Sequence, residues 1–439
     1  MKKLNITFCS FPDYSGNAKA LYEYMLKRYD NNMNYTWIVY NESTVKLLSE
    51  KGINAILIGS DEFKKYIPKT NVFFTTQGNL DGDKVKAKNS LYIELWHGVG
   101  PKPTGFAQKN PSNEDLIGYS NISEIVDYFI VPSDFWQVMY SAVFKTEFSR
   151  IKSLGMPKLD YFVNSSGKDN LQKVLDLGLS KYKKIIGYMP TFKQGFNHMD
   201  VTNISKNIFN FKEEYNEKKL NEFLKKNNYL LCVKKHPGEQ ANLNFKETDN
   251  IKNISEEDLI KNQISVNEII NAFDLLITDY SSIGTEFVFL NKPVLFATGD
   301  LDEYFENRGI LLGDFDFWTP GPNVDNIKSL MNEIELLLTD DKYFKEERDK
   351  YRKLWFKNLE DGGCDKICDF LFDGYSIRKD IIRHKSSTIK LRKELSDLKG
   401  IVNEQEETIK RLTESDIRLK EIEQSKAWRI IEKLRRFRK

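Results

Sequence analysis

Two histidines and a pair of serines stand where strands of this sequence end, and these are side chains that move protons and hold phosphate. The stretch Leu275-Leu-Ile-Thr-Asp-Tyr-Ser-Ser-Ile-Gly-Thr-Glu286 begins as a short apolar strand and breaks at Asp279-Tyr280-Ser281-Ser282. It then runs on as a short helix that ends before Asn291-Lys-Pro293. Adjacent serines at such a turn are good N-cap residues, because their hydroxyls accept bonds from the free N–H groups of the first turn. Those N–H groups and the helix dipole also suit a phosphate or diphosphate. In open α/β sheets, ligands bind at the carboxyl ends of strands, where this turn falls. A Ser-Ser pair alone reads as a plain helix cap. Its company changes the reading: a strand at Leu91–Leu95 leads into Trp96-His97-Gly98-Val99-Gly100-Pro101-Lys102, a histidine on a loop whose glycines leave the backbone open to a ligand. Strand Tyr229–Val233 likewise leads into Lys234-Lys-His236-Pro-Gly238.

Alternating elements must position these residues. Strands are expected at Leu4–Phe11, Tyr35–Tyr40, Ala55–Ile58, Val72–Thr75, Leu91–Leu95 and Tyr128–Val131, with a helix at Ala18–Arg28 entered through Gly16 and Asn17. Ile151–Asp160 reads as a strand end and turn closing this first domain, residues 1–165, and a polar helical linker follows. A second series occupies 180–375: strands at Lys184–Met189, Tyr229–Val233, Ile251–Ile254, Leu275–Thr278 and Val294–Ala297, helices near Asn216–Lys226 and Ser265–Ala272, and closing helices. Strands alternating with helices predict a parallel, doubly wound sheet in each half.

A chain of 439 residues has room for such domains, and 40% apolar with 30% charged residues is the balance of a soluble globular protein. A net charge of +2 gives no basic field for nucleic acid. Cys9 and Cys232 lie in strand-like runs, and Cys364 and Cys368 on a helix without a neighbouring His, so core thiols are expected rather than disulfides or a metal site. The Asp314/Asp316 pair is too common a pattern to read as a metal site. The N-terminus lacks the apolar core of a signal peptide, and no apolar run is long enough to span a bilayer, which predicts a cytoplasmic protein. From Ile377 the character changes. Leu391, Leu395, Leu398, Val402, Gln405, Ile409, Leu412, Asp416 and Leu419 fall at alternating spacings of four and three, predicting a coiled coil over 377–424 and hence a homo-oligomer. The last fifteen residues, Ser425–Lys439, hold seven Lys/Arg against one Glu, with Trp428, Ile431, Leu434 and Phe437 near one face. That is the pattern of a helix on an anionic membrane surface, to which each cation contributes about 1 kcal/mol.

Taken in order, Trp96-His97-Gly98, Gly155-Met-Pro-Lys-Leu-Asp160, Tyr188-Met-Pro-Thr-Phe-Lys193, Lys235-His236-Pro237, Thr278-Asp-Tyr-Ser-Ser282, Asn291-Lys-Pro293, Pro320-Gly-Pro322 and Glu360-Asp-Gly362 resemble the CDP-glycerol:glycerophosphotransferase family, which builds teichoic acids and related poly(alditol phosphate) chains. The resemblance runs from about Ser10 to Phe372. It implies an α/β chain of GT-B type, two Rossmann-like domains around a central cleft, with the coiled-coil tail appended. It also implies transfer of glycerol or ribitol phosphate from a CDP-alditol donor to a lipid-linked or glycan acceptor with release of CMP. That chemistry calls for no metal and no cofactor beyond the donor itself. On this resemblance His97 is the catalytic base and His236 stands at the donor diphosphate. Ser281, Ser282, Arg308, Lys193, Glu286 and Asp279 fall on the donor side, with Glu286 toward the ribose, and Gly16, Asn17 and Gly98 on the acceptor side. The chain departs from the pattern in carrying Val99-Gly100-Pro101-Lys102 where a Thr-Pro pair followed by basic residues is usual, and Lys158 where Arg is frequent. The competing readings are a GT-B glycosyltransferase using a nucleotide sugar in cell-surface polysaccharide synthesis, and a non-catalytic scaffold. The basic tail predicts peripheral attachment to the inner face of the membrane.

Overall fold

The structure is a computed structural model that describes residues 3–77, 90–191, 208–209, 211, 216–234, 245–426, 428–429 and 432. It divides into two compact units, residues 1–376 and 377–439.

The first unit holds two wholly parallel sheets. One consists of β1 (Asn5–Cys9), β2 (Asn34–Val39), β3 (Ala55–Leu57), β4 (Val72–Thr75), β5 (Leu91–Glu94), β6 (Tyr128–Val131) and β7 (Ile151–Ser153), in the order β3-β2-β1-β4-β5-β6-β7. The other consists of β8 (Lys184–Tyr188), β9 (Tyr229–Val233), β10 (Ile251–Asn253), β11 (Leu275–Thr278), β12 (Val294–Ala297) and β13 (Asn323–Val324), in the order β10-β9-β8-β11-β12-β13. Both sheets wind outward from their first strand in one direction and then in the other. The order therefore reverses between β1 and β4 and again between β8 and β11. A crevice opens at the carboxyl ends of strands at such switch points, which is where open α/β sheets bind ligands. The central strands are apolar on both faces because helices cover both: β4, β5, β6, β9 and β11 are buried along their whole length.

Several expectations change in the folded chain. Ser265–Ala272 is not an α-helix but two 3₁₀ turns, Val266–Glu268 and Ile270–Ala272. A capping box between Ser265 and Glu268 closes the first of them after a single turn. Ser281 occupies the N-cap of helix Ser282–Phe287, yet its hydroxyl makes no capping bond. Helix Cys364–Leu371, expected among the closing helices of the second series, packs against helix Gly16–Tyr29, which follows β1. There Arg28 pairs with Asp369 at 2.5 Å and Tyr29 packs edge-on against Phe372 at 5.9 Å. Its apolar stripe of Cys364, Ile367, Cys368 and Leu371 is buried, so both cysteines are core thiols, as are Cys9 and Cys232.

Two sequence motifs turn out to clip one another. Gly155 has φ +139°, and a Cβ added there would lie 2.2 Å from the Gly362 carbonyl oxygen; one added at Gly363 would lie 2.1 Å from that of Leu154. Asp160 Oδ1 accepts the Gly362 N–H at 2.7 Å. Backbone meets backbone here with no room for a methyl group. Gly155→Ala is therefore expected to destabilise the protein by about 2–4 kcal/mol, through backbone strain and overpacking together. Urea unfolding reads this as a lower midpoint at unchanged slope, and an unchanged midpoint would contradict the contact.

In the second unit, Lys379–Gln424 is one helix of 46 residues. Leu391, Leu395, Leu398, Val402, Ile409, Leu412 and Leu419 are all exposed along it. Among the described residues, no helix is long and apolar enough to cross a membrane.

Candidate active site

Four loops converge at the carboxyl ends of β1, β4 and β5 in one sheet and β11 in the other. His97 follows β5. Between them Trp96 takes φ +51°, a region that bulky residues avoid. Polar groups from beneath hold this turn in place: Glu94 Oε1 accepts the Trp96 N–H at 2.7 Å, and Asn17 Nδ2 donates to the carbonyls of Leu95 at 3.1 Å and Trp96 at 2.8 Å. Glu94 and Asn17 are both fully buried. The His97 ring stacks on Trp96 at 4.6 Å and is exposed.

The imidazole's tautomer follows from its partner. His97 Nδ1 lies 3.1 Å from the Thr76 carbonyl, which can only accept, so Nδ1 carries the proton and Nε2 keeps its lone pair. Nε2 has no hydrogen-bond partner among the described residues. Crowding by protein atoms pushes the imidazole pKa below its ordinary value of 6.5; the Thr76 carbonyl opposes that shift, and the Lys158 and Lys102 cations add to it. At neutral pH the ring is therefore an uncharged base.

The helix that follows β11 touches this loop directly. A Cβ added to Gly98 would lie 2.7 Å from Ser282 Oγ and 2.8 Å from Glu286 Oε1, and one added to Gly100 would lie 3.0 Å from Ser282 Cα. Both glycines thus let the histidine loop lie against the N-terminal turn of helix Ser282–Phe287. Ser281 and Ser282 are half-buried, and neither hydroxyl has a hydrogen-bond partner among the described residues. Glu286 is 1% exposed, and its Oε2 pairs with Lys158 Nζ at 2.8 Å. Burial raises the Glu286 pKa; the Lys158 cation and the Val99 backbone oppose that rise. Asp279, also buried, accepts both the Thr191 N–H at 2.8 Å and its hydroxyl at 2.7 Å, tying the loop after β8 to the serine turn.

A cationic rim adjoins the loop. Burial lowers the Lys102 pKa, and the nearby Arg308 guanidinium lowers it further. The two segments are joined where Leu311 N–H donates to the Pro101 carbonyl at 2.7 Å.

The residues expected from sequence thus divide. His97, Gly98, Ser281 and Ser282 come together, and Arg308 is brought near Lys102. Gly16, at φ +58°, opens the helix after β1, where an added Cβ would meet nothing within 4 Å. Asn17, Glu286 and Asp279 lie beneath the surface, each bonded to protein through its side chain, with Glu286 Oε1 left without a hydrogen-bond partner among the described residues. Lys193 and His236 fall outside the described residues. Thr76 and Lys158 were not picked out as site residues. Thr76 acts through its carbonyl, which no side-chain pattern reveals, although the adjacency of β4 and β5 places it beside His97. Among the described residues no cluster of His, Cys, Asp and Glu could hold a metal ion.

Gly98→Ala is expected to displace the Ser282 hydroxyl and the Glu286 carboxylate, which its Cβ would meet, and to lower turnover about 100-fold, the scale of a 1 Å misplacement. An unaltered rate would show that the contact is dispensable. The neutral-base assignment fixes the pH dependence as well. A base with a depressed pKa loses activity only as pH falls through that pKa, so the acid limb of kcat/KM should lie below 6.5; a limb above it would contradict the assignment.

The chain and its fold have counterparts. A family model described as CDP-Glycerol:Poly(glycerophosphate) glycerophosphotransferase matches residues 1–373. The teichoic acid poly(ribitol-phosphate) polymerase of Bacillus spizizenii is 25% identical over 81% of this chain, which spans only 54% of that protein's length. The teichoic acid glycerol-phosphate primase of Bacillus subtilis is 29% identical over 73% of this chain and 81% of its own. The teichoic acid glycerol-phosphate transferase of Staphylococcus aureus is 24% identical over 82% of this chain and 90% of its own. Among solved structures, the wall teichoic acid polymerase TagF superposes with a TM-score of 0.68 at 24% identity, covering 88% of this chain and 90% of that one, a likeness of fold.

Proposed function

The chain belongs to the CDP-glycerol:poly(glycerophosphate) glycerophosphotransferase family, and from that premise we propose that it transfers glycerol or ribitol phosphate from a CDP-alditol to a lipid-linked or glycan acceptor. CMP is the leaving group. The observation that carries this reading is the pairing of an uncharged imidazole with two serine hydroxyls whose helix touches the next residue, Gly98; among the described residues neither Nε2 nor either hydroxyl has a hydrogen-bond partner.

In this reading the acceptor hydroxyl gives its proton to His97 Nε2 as its oxygen attacks the β-phosphorus. The bond from that phosphorus to the bridging oxygen breaks, and the electron pair leaves with CMP. Negative charge grows on the departing phosphate and on the equatorial oxygens. Ser281, Ser282, Arg308 and Lys102 offset it, and His236 and Lys193 are assigned to the same donor face. Pre-placed charge and donors of this kind supply most of the rate enhancement in such reactions. The acceptor approaches from the side of Gly16 and Gly98. Asp279 serves by holding the Thr191 loop to the serine turn.

The exposed leucines of helix Lys379–Gln424 support self-association through a coiled coil, since an apolar seam of that length is unfavourable in water. The basic, aromatic segment after it supports attachment to an anionic membrane surface on the cytoplasmic side.

Purified protein given CDP-glycerol and CDP-ribitol in parallel, with a lipid-linked acceptor, is expected to release CMP from one of them. His97→Asn should abolish that release. Release of a nucleoside diphosphate from a nucleotide sugar instead would establish the glycosyltransferase reading. Sedimentation should give the full chain a mass above that of the 51.3 kDa monomer, restored to monomer by Leu398→Glu with Leu412→Glu; a monomeric parent protein would overturn the coiled coil. Deletion of Ser425–Lys439 should weaken binding to phosphatidylserine vesicles, and undiminished binding would overturn the membrane role.

A further inference from the structure

Lys158 occupies an unusual position for a lysine. It is buried, at 6% exposure, and all of its polar atoms that face the site are committed. Its backbone N–H donates to Asn17 Oδ1 at 3.0 Å, while its ammonium donates to the His97 carbonyl at 2.8 Å and pairs with Glu286 Oε2 at 2.8 Å. Asn17 in turn holds the carbonyls of Leu95 and Trp96. Three consecutive carbonyls, those of Leu95, Trp96 and His97, are thus fixed by one connected group of buried side chains. They flank the one residue of the turn, Trp96, whose backbone lies in a strained region. Strain of that kind persists only where the surroundings over-determine it. Glu286 extends the group into the other domain, one turn along the helix that begins at Ser282.

We propose that the buried Lys158–Glu286 couple is a positioning element of the reaction, fixing the strained Trp96-His97 turn and tying it to the serine-bearing helix so that the base and the donor site keep one geometry. This rests on the reading of His97 as the base. Glu286 then acts within the domain contact rather than on a ribose. Neither residue touches the reacting atoms.

The couple also sets the field at His97. The groups facing that ring are the Thr76 carbonyl, the Lys158 ammonium backed by Glu286, and Lys102 backed by Arg308; the Glu94 carboxylate lies behind, on the Trp96 N–H. Removing Lys158 takes a cation from the imidazole and leaves a carboxylate close by. Removing the Glu286 charge leaves that cation uncompensated. The two changes must therefore move the His97 titration in opposite directions, whereas general loosening of the fold would move both the same way.

The test uses the full chain with Lys158→Met, the nearly isosteric Glu286→Gln, the double variant and Lys158→Arg. NMR titration of the imidazoles is practicable because the sequence holds only four histidines, and His97→Asn assigns the signal. The His97 pKa is expected to rise in Lys158→Met and to fall in Glu286→Gln. Lys158→Met should lower kcat about 100-fold with donor KM altered less than about threefold, and Lys158→Arg should recover most of the loss. The double variant should be no worse than Lys158→Met, since it no longer buries a lone charge. A His97 titration that is unmoved, or moved the same way by both single variants, would overturn the proposal. So would a kcat untouched by Lys158→Met. The titration needs no substrate, so it decides the couple even where CMP release fails and the base reading falls with it.

Discussion

The site depends on a close approach between the two sheets of one compact unit. His97 and the serine turn sit on different sheets, and neither is chemically useful without a fixed distance between them. That distance is set where Gly98 and Gly100 lie against Ser282 with little space for a methyl group, and where the Lys158 ammonium joins the His97 carbonyl to Glu286. A buried ion pair is weak support for stability, because desolvation consumes most of the Coulomb attraction. Its value here is directional. A lysine between two fixed acceptors leaves little freedom for either domain to slide.

The rest of the interface reinforces that arrangement. Lys19, on the same helix as Asn17, pairs with Glu268 of the second domain at 2.9 Å. Trp136 of the first domain packs on Trp318 of the second at 5.6 Å, and Trp318 stacks on Trp355 at 5.8 Å. Helix Cys364–Leu371 crosses back to the first domain, and its lead-in is clipped at Gly155 and Gly362. Contacts this varied at several places along one interface resist rotation as well as separation. A reaction that relies on positioning and fixed charge gains more from such rigidity than one with a covalent intermediate to shelter.

Much of the fold was legible because parallel strands covered on both faces must read as continuous apolar runs; β4, β6, β9 and β11 start and stop where those runs do. Ser265–Ala272 misled because its spacing suits a helix, while Ser265 and Glu268 close a single turn and end it. The return of Cys364–Leu371 to the first domain was hidden for a different reason: an apolar stripe declares that a helix is buried, not against what. At the site, residue types pointed to His97 and the serines, since few roles suit those side chains on loops after strands. They pointed less well to Asn17 and Glu286. A polar residue in a site motif looks the same in sequence whether it faces the ligand or braces the loop from below, and only burial separates the two.

That distinction bears on what the motifs of this chain are for. Gly155 and Gly362 meet each other, Asp160 takes the Gly362 N–H, and a Cβ on Gly321 of the Pro-Gly-Pro loop would lie 2.0 Å from the Val294 carbonyl, beside Pro293. These contacts hold backbone to backbone and leave no side chain open to a substrate. Asn17, Lys158 and Glu286 form a middle layer, bonded to the active turn yet closed to solvent. His97, Ser281 and Ser282 combine a chemically competent side chain with an exposed or half-buried polar atom that no hydrogen bond occupies among the described residues, whereas the unoccupied Glu286 Oε1 is buried. A chemical group that must act on a substrate has to stay unsatisfied in the resting protein, while the groups that brace it are largely satisfied. The layering from clipped backbone, through buried polar braces, to open imidazole and hydroxyls meets both demands within one chain.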